Sequence, residues 1–219
     1  MFTFQSTIEG GCVASTSGTH VDDTPSRVAV VKTLRRVFSG FLNIDEALVR
    51  HPRYDGASQE VHRLSLERGD SAAVALVDRA RRVIFLTEQF RFPTLRNGPG
   101  WLREIPAGRI ESDESAAAAG AREAFEETGF RPPVLEPIAT FYASPGASSE
   151  RIVLFLALVD GLPRDEAGAH SARDPGEDIA VIEQALDPFL CDCRDGRVVD
   201  AKTLVTGLWI LANRARLEL

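Results

Sequence analysis

Apolar residues follow two rhythms along this chain. Residues 28–34 are β-rich, 40–50 continue as an extended segment, and 60–66 alternate again after the turn at Asp55-Gly56. Together they predict a small antiparallel unit of three strands. Residues 72–77 and 83–90 read as buried strands joined by a polar turn, and 92–100, with its prolines and glycines, reads as a loop. A strand over 101–105 leads into Pro106-Ala107-Gly108 and a helix. Strands over 138–142 and 151–159 follow, separated by the turn Ser144-Pro145-Gly146. Residues 161–176 form a long polar loop, and 179–182 a short strand. Pro188 is placed to open a short helix over 187–194. The chain closes with a helix over 200–216, where Leu204, Val205, Leu208, Leu211 and Ala212 recur at helical spacing. Residues 1–27, rich in Ser, Thr and Gly, show no sustained period and are expected to form a flexible tail.

The stretch from Gly108 to Phe130 reads GRIESDESAAAAGAREAFEETGF. Ser112 or Asp113 is placed to cap a helix with Glu114 in its first turn, and Gly129 marks the C-terminal stop. The alanines at 116–119 and 121 favour that helix. Glu123, Glu126 and Glu127 share one face, being separated by three and four positions. Like charges at this spacing destabilise a helix mildly, and near its C-terminus they oppose the macrodipole. A solvent-facing charged helix is the ordinary explanation for such a cluster. The alternative is that converging carboxylates hold a hard divalent cation such as Mg²⁺, which prefers oxygen ligands.

Composition narrows the choice. With 219 residues, 44% hydrophobic and 26% charged, the chain suits one large globular domain with or without a small appendage. Its net charge of −7 argues against a binder of nucleic-acid backbones. No apolar run reaches membrane-spanning length and no signal-peptide pattern opens the chain, so no membrane partner and a cytoplasmic location are expected. Cys12, Cys191 and Cys193 are too few for a disulfide scaffold or a four-ligand zinc site. His20, His51, His62 and His170 show no ligand spacing, and Ser144 has no evident His/Asp partners.

The spacing Gly108, Glu114, Arg122-Glu123, Glu126-Glu127, Gly129, Phe130 resembles the Nudix box, with Ala124 a soft departure at its hydrophobic position. Beyond the box, the segments FSGFLNIDEALVRHPRYDG, LTEQFRFP, LREIPAG, FYASPGASSERI and GEDIAV resemble ADP-ribose pyrophosphatases and related nucleoside-diphosphate-sugar pyrophosphatases. The resemblance implies an α/β fold: a Nudix α/β/α sandwich with a mixed sheet over residues 71–219, preceded by the antiparallel β unit over 28–70. It also implies a homodimer in which that unit is exchanged and helps to build the partner's substrate site.

The implied chemistry is hydrolysis of ADP-ribose to AMP and ribose 5-phosphate, with Mg²⁺, or alternatively Mn²⁺, as cofactor. Carried over residue by residue, Glu123, Glu126, Glu127 and the Ala107 carbonyl would ligate the metal, with Arg122 and Glu114 bracing that face. Arg91 and Arg63 match basic substrate contacts, and Phe41 an aromatic that stacks on adenine. Glu104 and Glu150 match active-site acids. The general base would be Glu177, with Asp174 behind it. Relatives often carry an acid two positions before Glu177, where this chain has Pro175. Two alternatives remain open: a pyrophosphatase for GDP-mannose or UDP-glucose, and a Nudix-fold sensor that binds a nucleotide sugar without cleaving it.

Overall fold

The computed structural model describes residues 28–173, 176 and 178–219. The expected tail over 1–27 lies outside the described residues, as do Asp174, Pro175 and Glu177. Three strands come first, Val30–Ser39 (β1), Asn43–Pro52 (β2) and Ser58–Glu67 (β3), forming an antiparallel sheet in that order. Gly56, with φ at 84°, makes the left-handed turn between β2 and β3, a conformation that costs a residue with a Cβ. Every residue of β1 is exposed. Two of its charged positions pair across the ladder, Arg35 with Glu46 and Arg36 with Asp45. The sheet joins the rest of the molecule where Leu66 donates its N–H to the Ala147 carbonyl at 2.8 Å and accepts from the Ser149 N–H at 3.3 Å.

The second sheet has seven strands: Ser71–Asp78 (β4), Val83–Phe90 (β5), Trp101–Glu104 (β6), Ala107–Arg109 (β7), Glu136–Tyr142 (β8), Arg151–Leu158 (β9) and Ala180–Ala185 (β10). Its path is β10-β5-β4-β9-β8, with β6 on β5 and β7 on β4. Only β4–β9 is parallel, so the sheet is mixed. All of β4 is buried, as expected of a near-continuous apolar run covered on both faces. Successive side chains take opposite sides. Ala73, Ala75 and Val77 pack with Leu186, Phe189, Leu190 and Ile210, from the helices Leu186–Arg194 (α3) and Ala201–Ala212 (α4). Ala72, Val74 and Leu76 pack with Ala119 and Ala124 of the helix Ala116–Thr128 (α1), and with Phe130. The result is the expected α/β/α sandwich. Numbered in chain order, α2 is the short helix Glu166–Ala172. No helix among the described residues is long and apolar enough to cross a membrane.

Several boundaries differ from the sequence reading. The N-cap of α1 is Ser115, whose side chain accepts from the Ala118 N–H at 3.1 Å, so neither Ser112 nor Asp113 caps it and Glu114 precedes the helix. Gly129 does end it, with φ at 82°. Pro188 is the third residue of α3 rather than the first. The loop over 161–176 contains α2, capped by Asp165, a helix too short to show a clear hydrophobic period. Asp200 caps α4, which ends at Ala212 instead of 216.

Candidate active site

Strand β7 and helix α1 face each other, and Arg122 lies between the acids of the box. Its Nη2 donates to Glu114 Oε1 at 2.7 Å and its Nη1 to Glu123 Oε1 at 2.7 Å and Glu126 Oε2 at 2.9 Å. A further bond reaches the Arg109 carbonyl of β7. One planar cation thus holds three carboxylates in fixed directions, as its rigid fork of donors allows. The pairing with Glu114, helped by Glu123 and Glu126, raises the Arg122 pKa further above its ordinary value. The same contact holds the Glu114 carboxyl below the usual range. Arg122 and Glu114 are therefore bonded to each other, with Glu114 reaching Arg122 from outside the helix.

Glu127 is different. It is buried, and its Oε2 has no hydrogen-bond partner among the described residues. Burial first, then the charge of Glu123, pushes its pKa up to about 8, with Arg91 and the Ala107 amide pulling the other way. An unpartnered buried carboxylate oxygen is costly and calls for a ligand or proton. Beside it, Gly108 leaves room for the Glu123 carboxylate, which a Cβ at position 108 would overlap. Glu123 and Glu126 are turned onto Arg122, and among the described residues no three acids, thiols or imidazoles converge as a ready metal cage. The donor set still fits a hard divalent cation. It consists of oxygens, and one of them is buried and unsatisfied where a positive charge would lower its pKa.

The backbone carbonyls at the end of α1 are compensated from elsewhere in the chain. Arg164 Nε donates to the Thr128 carbonyl at 2.7 Å, and Arg173 donates to the Glu126 and Glu127 carbonyls. Two guanidinium groups therefore meet the negative end of the helix dipole. Sequence reasoning missed both, since they lie 36 and 46–47 residues away.

Close enough to Glu127 to act on its charge, Arg91 Nε donates to Glu104 Oε2 at 2.7 Å. Glu104 is buried and also accepts from Lys202 Nζ. The sequence places Lys202, Asp200 and Thr203 only within the closing helix. One signal was available: a lysine in the first turn of a helix opposes the macrodipole, as the acids of α1 do at its other end.

The remaining residues do not join this cluster through the contacts seen. Glu150 accepts from Ser71 Oγ at 2.7 Å and faces Arg68 at 3.7 Å. Phe41 is 96% exposed in the turn between β1 and β2. Arg63 is exposed on β3, donating to the His62 carbonyl. The expected bases, Glu177 and Asp174, lie outside the described residues. Of the α3 thiols, Cys191 is exposed and Cys193 buried, where burial pushes its pKa up to about 12.

Comparison with known proteins bears on this geometry. A family model described as the NUDIX domain matches residues 67–188. An ADP-ribose pyrophosphatase from Escherichia coli K12 is 31% identical over 184 residues, covering 83% of this chain and 87% of that protein. A GDP-mannose pyrophosphatase from Cronobacter sakazakii is 36% identical over 174 residues, 78% of this chain and 84% of that protein. Another, from Pectobacterium atrosepticum, is 38% identical over 141 residues, 64% of this chain and 71% of that protein.

Proposed function

The chain belongs to the NUDIX family, and we infer that it is a pyrophosphohydrolase splitting the diphosphate of a nucleoside diphosphate sugar. ADP-ribose, giving AMP and ribose 5-phosphate, is the substrate we propose. The observation that carries the reading is the buried, unpartnered Oε2 of Glu127, set beside the Glu123 carboxylate and the Gly108 gap. A divalent cation, Mg²⁺ or alternatively Mn²⁺, would be held by Glu123, Glu126, Glu127 and the Ala107 carbonyl. Bound there, it would neutralise the diphosphate and acidify the attacking water. Arg122 keeps Glu123 and Glu126 aimed. Arg91, held at Nε by Glu104, turns its remaining donors to a phosphate oxygen. Glu177, with Asp174 as the alternative, is the proposed acceptor of the water's proton.

A panel of ADP-ribose, GDP-mannose and UDP-glucose with Mg²⁺ or Mn²⁺, with products separated by chromatography, tests the substrate. ADP-ribose is expected to show a kcat/KM at least about tenfold above the others. Equal or better turnover of GDP-mannose would replace the assignment, and the relatives at 36–38% identity make that the second reading.

A homodimer and a cytoplasmic location belong to the same proposal. The dimer is supported by β1, which exposes Val30, Val31, Leu34, Val37 and Phe38, more apolar surface than an isolated edge strand ordinarily leaves uncovered. The setting of Phe41 and Arg63 on this unit, without contact to the carboxylate cluster, agrees with a site completed by a second copy. Sedimentation should give twice the chain mass, and Leu34→Glu should yield a monomer with reduced turnover. A monomeric wild type with full turnover would remove this part.

A further inference from the structure

The N-terminus of α4 contributes a compact polar cluster. Lys202 is buried, and its Nζ donates to Glu104 Oε1, 98 residues away in the chain, and to Asp200 Oδ1 at 2.9 Å. Thr203 Oγ1 accepts from the Ile105 N–H at 2.9 Å and donates to Asp200 Oδ2 at 2.6 Å. Helix α4 therefore grips the segment leading to β7 twice, at the Glu104 side chain and at the next backbone amide. Glu104 gives its second oxygen to Arg91 Nε at 2.7 Å, and the Arg91 side chain remains 39% exposed. Among the described residues, no acceptor meets the two terminal nitrogens of Arg91.

We propose that Lys202 is a positioning residue for diphosphate recognition: by occupying Oε1 of Glu104 it confines Arg91 to a one-point contact through Nε, leaving the guanidinium's terminal nitrogens for the substrate. This rests on Arg91 meeting a diphosphate, as in the function proposed above. The physical reason is the competition for Glu104. A buried carboxylate oxygen that loses its donor is costly, and a guanidinium readily bridges both oxygens of a carboxylate in a fork-to-fork pair. Without the ammonium of Lys202, Arg91 closes onto Glu104 and its outward donors are withdrawn. A lysine used only to anchor α4 would act differently: its loss would lower stability and the fraction of active protein, with no change in affinity per folded molecule.

The test uses Lys202→Met and Lys202→Gln, the second keeping a neutral donor near Glu104 in case the first does not fold. Binding of inorganic pyrophosphate and of ADP-ribose is measured by calorimetry in EDTA, and kcat and KM are measured in Mg²⁺. Lys202→Met is expected to bind both probes roughly tenfold more weakly and to raise KM with little change in kcat, and Lys202→Gln, which still offers Oε1 a weaker donor, to fall measurably between it and the wild type. On an Arg91→Ala background the same substitutions should add no further loss. Unchanged binding, a fall in kcat at constant KM, or losses that multiply with Arg91→Ala would overturn the proposal. If the wild type binds pyrophosphate but cleaves no nucleotide sugar, the functional reading fails while this one stands. If the wild type binds neither probe, the inference about Lys202 falls.

Discussion

Glu127→Gln is expected to cut turnover by something on the order of 10²–10³-fold, the range seen when one preorganised group facing reacting charge is removed, while making the metal-free protein more stable at alkaline pH. The two effects share a cause. Burial raises the Glu127 pKa from its ordinary 4.5 to about 8. Below pH 4.5 the carboxyl is protonated in both the folded and unfolded chain and adds no pH dependence. Between 4.5 and 8 the unfolded chain releases a proton that the folded protein retains, so stability falls as pH rises. Above about 8 the folded group ionises too, and the penalty is complete. Glutamine stays neutral throughout. In EDTA, scanning calorimetry should therefore show a Tm advantage for the variant that opens above pH 4.5 and levels off beyond about 8. Unchanged turnover would remove the metal-site reading. A Tm difference independent of pH would remove the account of Glu127 as a buried acid.

Gly108→Ala should be nearly as damaging to activity, although it adds one methyl group. That methyl would overlap the Glu123 carboxylate. Gly108 is not among the glycines with positive φ, so the backbone itself accepts alanine without strain. The damage therefore falls on the direction of Glu123, whose Oε1 is also tied to Arg122 at 2.7 Å. Turnover is expected to fall by about 10²-fold, as for misplaced reacting groups generally. Mn²⁺ affinity by calorimetry should drop with it, and the Tm should stay within a few degrees. Turnover within twofold of wild type would show that the Glu123 position seen here is not required.

The box glycine illustrates how much of the site could be read from residues alone. Its place at a fixed distance before the acids was legible. That it makes room for one particular carboxylate was not, because β7 and α1 meet only when Ala72 pairs with Gly108 across β4 and β7. The acids of α1 show the same division. Their shared face followed from helical spacing. Their separate fates did not, since Arg122 takes Glu123 and Glu126 while Glu127 is left buried with an unsatisfied oxygen. Burial depends on what packs over the helix, and spacing along the helix cannot supply that.

The sequence by itself determined the order of strands and helices apart from α2 and β7, the mixed α/β character, the carboxylate face of α1 and the family. Each of these is written in short-range periods or in motifs with fixed offsets. Strand β5 runs over the residues its apolar run marks, 83–90, because a central strand needs that run to cover both faces. The tertiary structure alone decided which charges meet. Lys202 reaches Glu104 across 98 residues, and Arg164 and Arg173 reach the end of α1 across 36 and 46–47. No local period encodes such pairings. They arise because β6 and α4, and α1 and the segment around α2, are brought together by a sheet whose register is fixed by apolar burial. The electrostatics of the site follow from that packing.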